Sequence, residues 1–335
     1  MGLVFVGDRC CDHSPSSGYD QVIAQFPTAG WLSGKALERG DIDWLRAPSA
    51  ADASVAFHVI YGDCSGCHLP ALLRRRHPGR PVIATVHKPA TRLLADAEAR
   101  GALEDCDALI ALTRSQSEGL RASGCQQPIT VIPHGVSIDA FRTADTAPPP
   151  SPSGPILVVG SFLRDWQFAQ RVLASPRLRH REVLAVGATA RTELRGLPPN
   201  VQFTDRLSET ELAGCYRTAS ALFLPVLDGT ASNALLEAMA AGCPVICPDL
   251  PGFVEDYLGD REDTYAPGDV QSAVDRLDRG TDVGWRRRRA VVLSGRARHF
   301  DWSRLRDRYL DAYATVGYRE PHGCRVSDVS PAGVL

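Results

Sequence analysis

Residues 221–249, ALFLPVLDGTASNALLEAMAAGCPVICPD, leave this chain few ways to fold. The apolar run 221–224 has strand length, and Pro225 ends it. A loop of small and polar residues follows over 227–232. Asn233 reads as a helix N-cap, and 233–241 consists of strong helix formers. Gly242 is placed to close that helix, and Pro244 prevents it from continuing. A second buried strand is expected over 245–247. A strand–helix–strand unit this compact requires a parallel sheet with a right-handed crossover. In such sheets, ligands collect beyond the C-terminal strand ends and against helix N-termini.

Glu237 is the residue of this unit that the fold does not obviously need. Its helix is otherwise apolar, with Leu235, Leu236 and Met239 on its other faces. A capping box from Asn233 would place its acid at Leu236, so Glu237 is not used that way. One turn away stand Ala234, Ala240 and Ala241, which leave room around the carboxylate. It reads either as a solvated acid on the outer helix face or as an acceptor for vicinal hydroxyls, as on a ribose.

The stretch ASNALLEAMAAGCPVI resembles the nucleotide-sugar signature of retaining glycosyltransferases of the GT-B fold, above all family four. The resemblance implies an α/β protein of two Rossmann-like domains, with parallel sheets facing a central cleft. It implies that Ser232, Asn233 and Ala234 hold the donor diphosphate and that Glu237 holds the ribose. The family usually carries a second Glu eight residues before the first. Gly229 stands there in this chain, with Asp228 and Thr230 beside it as candidate replacements on the donor.

The length of 335 residues suits two domains, each with its own core. A net charge of −2 gives no reason to expect nucleic acid. The start MGLVFVGDRCC lacks the basic and apolar regions of a signal peptide, and no window approaches about 20 apolar residues. A cytoplasmic protein with reduced cysteines is therefore expected. Cys64, Cys67 and His68 fit C-x-x-C-H formally, but with no export signal or second cysteine pair they indicate neither haem nor zinc. Asp41 with Asp43, and Asp105 with Asp107, match the D-x-D spacing of manganese-dependent glycosyltransferases but read as surface carboxylates. No metal or cofactor is expected beyond the nucleoside-diphosphate sugar itself.

Strands are expected over 3–6, 55–60, 82–86, 107–112 and 129–132 in the first half. The loop after the first of them is where GT-B enzymes shape the acceptor site, so His13, Ser17, Gly18 and Tyr19 are acceptor-side candidates by position. His87 ends the strand 82–86, and IATVHKP resembles the family strand whose terminal His contacts the donor sugar and reaction centre. Lys88 and Arg92 follow as candidate anion ligands. The triplet Arg74, Arg75 and Arg76 closes a helix, either as cations at its C-terminus or as a peripheral contact with anionic lipid. The segment ITVIPHGVSIDAF resembles the family's interdomain strand and turn.

The Pro-rich run 143–155 is a linker. The expected organisation is a first domain over 1–145 and a nucleotide-sugar domain over 155–300. A helix over 301–318 crosses back to the first domain, and 319–335 forms a loosely ordered tail. Strands over 156–159, 183–186 and 201–203 open the second domain. In the loop GSFLRDWQ, the family's Arg and Lys positions are Ser161 and Trp166, so Arg164 is the available cation for the diphosphate. Arg206 and Leu207 resemble the turn that contacts the base. Ser208 and Glu211 form a capping box, and residues 286–289 read as a solvated helix face.

The resemblance spans residues 80–315 and implies transfer of a sugar to an acceptor hydroxyl with retention and without metal. Helix-end N–H groups and Arg164 would meet the charge of the leaving diphosphate. In the family the leaving phosphate takes the acceptor proton. Two rivals remain: a non-catalytic GT-B protein that binds a sugar nucleotide or supports a partner, and an epimerase or inverting transferase on the same fold.

Overall fold

The computed structural model describes residues 2–8, 15–39, 55–64, 66–142 and 154–319. His13, the D-x-D pair Asp41 and Asp43, and most of the Pro-rich run lie outside the described residues. The strands are β1 (Gly2–Val6), β2 (Gly30–Leu32), β3 (Val55–Val59), β4 (Val82–Val86), β5 (Ala108–Ala111) and β6 (Ile129–Val131). The second half adds β7 (Ile156–Val159), β8 (Val183–Val186), β9 (Val201–Thr204), β10 (Ala221–Phe223), β11 (Val245–Pro248) and β12 (Thr264–Tyr265). They form two six-stranded sheets, ordered β2-β1-β3-β4-β5-β6 and β12-β11-β10-β7-β8-β9. Every strand pair is parallel. This is the expected α/β architecture of two Rossmann-like halves.

The central strands are mostly apolar and buried because helices cover both faces of each sheet. In β1, Val4 and Val6 enter one core, while Leu3 and Phe5 enter the other. In β7, Leu157 and Val159 face one way, and Ile156 and Val158 the other. The period of two along a strand makes this division. The last helix, Trp302–Ala314, starts at Asp301, whose carboxylate accepts from Ser303 N. Its Trp302, Leu305, Tyr309 and Tyr313 pack into the core behind β1 and β3, so the chain ends on the first sheet.

Strand order fixes where a ligand can sit. In the second sheet the chain runs outward from β7 through β8 to β9. It then returns to place β10 on the other side of β7. The crevice where the order reverses therefore lies between the loops that leave β7 and β10. Those loops are joined directly, by an antiparallel bridge between Arg164 and Val226 and by Leu227 N donating to Leu163 O at 2.9 Å.

Several local expectations need correction. Ser232, not Asn233, is the N-cap of the helix Asn233–Ala240, because its extended backbone (φ −146°, ψ 123°) is the N-cap conformation. Residues 286–289 are a solvated face only in part: Arg287 and Arg288 are exposed, but Arg286 and Arg289 are buried. Arg289 donates to Asp263 and Asp260, which holds the end of β12 against the helix Val283–Ala297. The capping box at Ser208 and Glu211 is formed as expected.

Candidate active site

Residues 225–232 follow β10 and deliver the chain into the first turn of the helix Asn233–Ala240. The N-cap Ser232 makes no side-chain cap hydrogen bond. The Asn233 Nδ2 is enclosed and has no hydrogen-bond partner among the described residues. Ala234 is buried. This first turn directs N–H donors and the positive end of the helix dipole into the crevice.

Glu237 lies one turn further along and is only 3% exposed, which removes the reading of a solvated acid. Its Oε2 accepts from Tyr216 Oη at 2.9 Å, and its Oε1 accepts from Ser17 Oγ at 2.5 Å. Tyr216 belongs to the helix Glu209–Thr218, whereas Ser17 belongs to the loop after β1. The carboxylate is thus held from both sheets. Burial, and then the charge of Glu237, raise the Tyr216 pKa well above that of an ordinary phenol, so this residue donates at any working pH.

Arg164 is nearly buried, and its guanidinium folds back onto its own loop. Nε and Nη2 donate to Val159 O at 3.2 and 2.7 Å, and Nη1 donates to Phe162 O at 3.0 Å. Among the described residues, one N–H remains on each of Nη1 and Nη2. Desolvation lowers the pKa of the group to about 10. Asp165 is not its partner; that carboxylate caps the helix Trp166–Leu173 through Phe168 N. The loop closes so tightly on Arg164 that a Cβ at Gly160 (φ +84°) would lie 2.6 Å from Nη2.

His87 ends β4 beside the crevice. Its Nε2 lies 2.8 Å from Ile60 O, which can only accept, so Nε2 carries a proton. Tyr19 meets the ring edge-on at 4.7 Å, and Tyr61 lies at 4.8 Å. The backbone of this strand end is held by Asp63, a fully buried acid that sequence reasoning passed over. Its two oxygens accept from His87 N at 2.8 and 2.9 Å, and Oδ2 accepts from Lys88 N at 2.5 Å. The signal was available in Gly62-Asp63 just after a strand, the same position logic that selected His87.

The remaining candidates divide sharply. Thr230 Oγ1 donates to His87 O at 2.5 Å, and Asp228 accepts from Thr91 Oγ1 at 3.1 Å, so both tie the two halves together across the cleft. Arg206 is exposed at the turn after β9, and Leu207 is partly buried against the core beneath it. Gly18 is buried in the turn 15–20. Tyr19 does not present its hydroxyl to an acceptor. It is 1% exposed, and its Oη lies 2.7 Å from Thr85 Oγ1 and 2.9 Å from Tyr309 Oη. Lys88 pairs with Asp96 at 2.7 Å, while Arg92 is exposed. Arg74 pairs with Asp107.

Gly229, where the family would carry its other Glu, is overlaid by Phe253. A Cβ there would lie 2.8 Å from the ring, so no larger residue fits without moving it. Phe253 comes from the π-helical segment Gly252–Leu258, which the sequence did not signal. The thiols of the C-x-x-C-H motif go to separate carboxylates: Cys64 to Asp63 and Cys67 to Glu98. His68 faces Glu38. Burial and then Asp63 push the Cys64 pKa up to about 12, which keeps it a thiol. Among the described residues, no group of three or more His, Cys, Asp and Glu side chains could hold a metal ion. No helix of the described residues is long and apolar enough to cross a membrane.

Two family models match the chain. That for Glycosyltransferase Family 4 covers residues 4–140, and that for Glycosyl transferases group 1 covers residues 155–280. A phosphatidyl-myo-inositol mannosyltransferase of Mycobacterium tuberculosis is 27% identical over 83% of this chain and 80% of its own length. A D-inositol 3-phosphate glycosyltransferase of Streptomyces bingchenggensis is 27% identical over 69% of this chain; the match spans 58% of that relative's length. Among solved structures, sucrose-phosphate synthase from Thermosynechococcus elongatus superposes with a TM-score of 0.69 at 16% identity, covering 94% of this chain and 99% of its own. Anabaena Alr3699/HepE in complex with UDP-glucose gives 0.68 at 13%, covering 94% and 100%.

Proposed function

Because this chain belongs to the GT-B glycosyltransferases of the family-four type, we propose that it transfers a sugar from a nucleoside diphosphate to an acceptor hydroxyl with retention and without a metal ion. The observation that carries this reading is the enclosed carboxylate of Glu237, one turn into the helix that opens on the crevice between β7 and β10. A ribose lying there offers two vicinal hydroxyls to an anionic acceptor, while the attached diphosphate meets the N–H groups of Ser232, Asn233 and Ala234.

Arg164 supplies the side-chain cation. It is a buried charge whose hydrogen-bond partners are backbone carbonyls. An anion at its two remaining N–H groups would offset the desolvation that now depresses its pKa. As the sugar–phosphate bond breaks, charge builds on the leaving diphosphate, and preorganised donors stabilise that charge most in the transition state. The anomeric carbon takes on oxocarbenium character, as in glycoside hydrolysis. His87 stands at the sugar end. The leaving phosphate takes the proton of the attacking hydroxyl on the face it leaves. Arg206 and Leu207 line the base end, and the loop carrying Ser17 and Gly18 lies towards the acceptor. The place of action is the cytoplasm.

The matched relatives bear names with inositol acceptors, so inositol phosphates are the first acceptors to try. A panel of uridine, guanosine and adenosine diphosphate sugars is screened by thermal shift. The binder is then incubated with acceptor while released nucleoside diphosphate is measured. One donor should raise Tm and release diphosphate only when acceptor is present. Binding with no sugar transferred from any donor would return the protein to a sugar-nucleotide binder.

A further inference from the structure

Glu237 is gripped by one hydroxyl from each half of the molecule. Tyr216 is fully buried in the same half as Glu237 and gives its only O–H to Oε2 at 2.9 Å. Ser17 is also fully buried, lies 220 positions away in sequence, and gives its O–H to Oε1. The loop that brings Ser17 is fastened independently. Ser16 N and Ser16 Oγ each donate to the Glu209 carboxylate at 2.8 Å, and Ser16 O accepts from Ser137 N at 2.8 Å. Glu209 opens the helix that carries Tyr216. The turn 15–20 is therefore clamped to one helix of the other half, with Ser17 aimed at Glu237.

We propose that Tyr216 and Ser17 are positioning residues for Glu237, so that the ribose-binding carboxylate is aligned only when the turn 15–20 is seated on the second half. This inference rests on the reading that Glu237 binds the donor ribose. A carboxylate oxygen can accept more than one hydrogen bond. The two hydroxyls fix the plane of the group. Without them, Glu237 must be reordered each time a nucleotide binds, and affinity falls by that amount. Tyr216 acts from within the nucleotide-binding half. Ser17 makes the alignment conditional on residues 15–20 being seated against the second half.

The test compares UDP and GDP with their 2′,3′-dideoxy forms by calorimetry, using wild type, Tyr216→Phe, Ser17→Ala and Glu237→Gln. Only the ratio of ribose to dideoxyribose affinity is read, so a general loss of fold or of phosphate binding cancels. Tyr216→Phe keeps its ring beside Phe141. Wild type should prefer the ribose form by about tenfold or more, and Glu237→Gln should abolish most of that preference. Tyr216→Phe and Ser17→Ala should each reduce it several-fold. Adding either to Glu237→Gln should change nothing further, as expected for residues that act through one another. Full ribose preference in both hydroxyl variants, with loss in Glu237→Gln, would overturn the positioning role while leaving the ribose contact intact. Loss in Tyr216→Phe alone would overturn the link across the cleft. Undiminished preference in Glu237→Gln would overturn the ribose contact itself, and this inference with it.

Discussion

A carboxylate as enclosed as Glu237 must be surrounded by donors, because an ionised group out of water is tolerated only when it is hydrogen-bonded. Composition alone could not tell this enclosed acid from a solvated one, since both readings allow a Glu in an otherwise apolar helix. The deciding donors, Ser17 and Tyr216, come from distant sequence. Arg164 teaches the same lesson with the opposite charge. Its loop position pointed to the crevice, but nothing in GSFLRDWQ indicated that three of its N–H groups would be spent on Val159 O and Phe162 O. Its removal therefore touches both stability and turnover. Arg164→Ala should lower the rate by about 10²–10³, on the scale of one lost oxyanion donor. Arg164→Lys should restore only part of the rate, because the planar fork is lost. Turnover of the Ala variant within a few-fold of wild type, at a lowered Tm, would make Arg164 a structural cation and shift attention to Lys88 and Arg92. His87→Ala should reduce turnover more than affinity for the free nucleoside diphosphate, which lacks the sugar that His87 is proposed to touch. Equal losses in the two measurements would assign His87 to the fold or the nucleotide.

Strands were the most legible elements, because burial on both faces turns them into continuous apolar runs. β4, β7 and β8 match their expected bounds residue for residue. The very short strands β2 and β12, at the sheet edges, carry too few residues for any period to show. The π-helical segment 252–258 escaped notice as well, although it supplies Phe253 over Gly229. Its Tyr257 Oη accepts from His134 N and donates to Leu112 O. The final helix, by contrast, was legible from its amphipathic spacing, yet the polar network beneath it was not. There His58 of β3 lies fully buried, with Nδ1 2.8 Å from Tyr313 Oη and Nε2 2.8 Å from Thr85 Oγ1. Burial, and then nearby His87, lower the His58 pKa from 6.5 to about 3. The folded state thus keeps this ring neutral where the unfolded chain protonates it. The stability it contributes is full above about pH 6.5 and is lost as pH falls from there towards 3, by about 1.4 kcal/mol per pH unit. Denaturant unfolding of wild type and His58→Gln at pH 4.5, 5.5 and 6.5 reads this directly. The variant should show a slope shallower by about one proton, and identical slopes would contradict a neutral buried His58.

At the scale of the whole molecule, the two halves meet through named contacts on both sides of the crevice. Thr230 reaches His87 O, Ser17 reaches Glu237, and Arg114 pairs with Asp256 at 2.8 Å. Fold class was readable because the switch-point helix and the interdomain segment lie in continuous motifs. The contacts that close the cleft pair residues more than a hundred positions apart, and no local pattern encodes them. In a site where a helix N-terminus and Arg164 meet the diphosphate, turnover should persist at full rate in excess EDTA. Loss of turnover on chelation, restored by manganese, would contradict that electrostatic scheme. The chemistry itself is best tested by the product. With the donor identified by the panel and its α-anomer supplied, the linkage formed is read by proton NMR before the product equilibrates. Transfer on the face shielded by the leaving diphosphate should give an α-linked product. A β-linked product would contradict retention and, with it, proton transfer from the acceptor hydroxyl to the leaving phosphate.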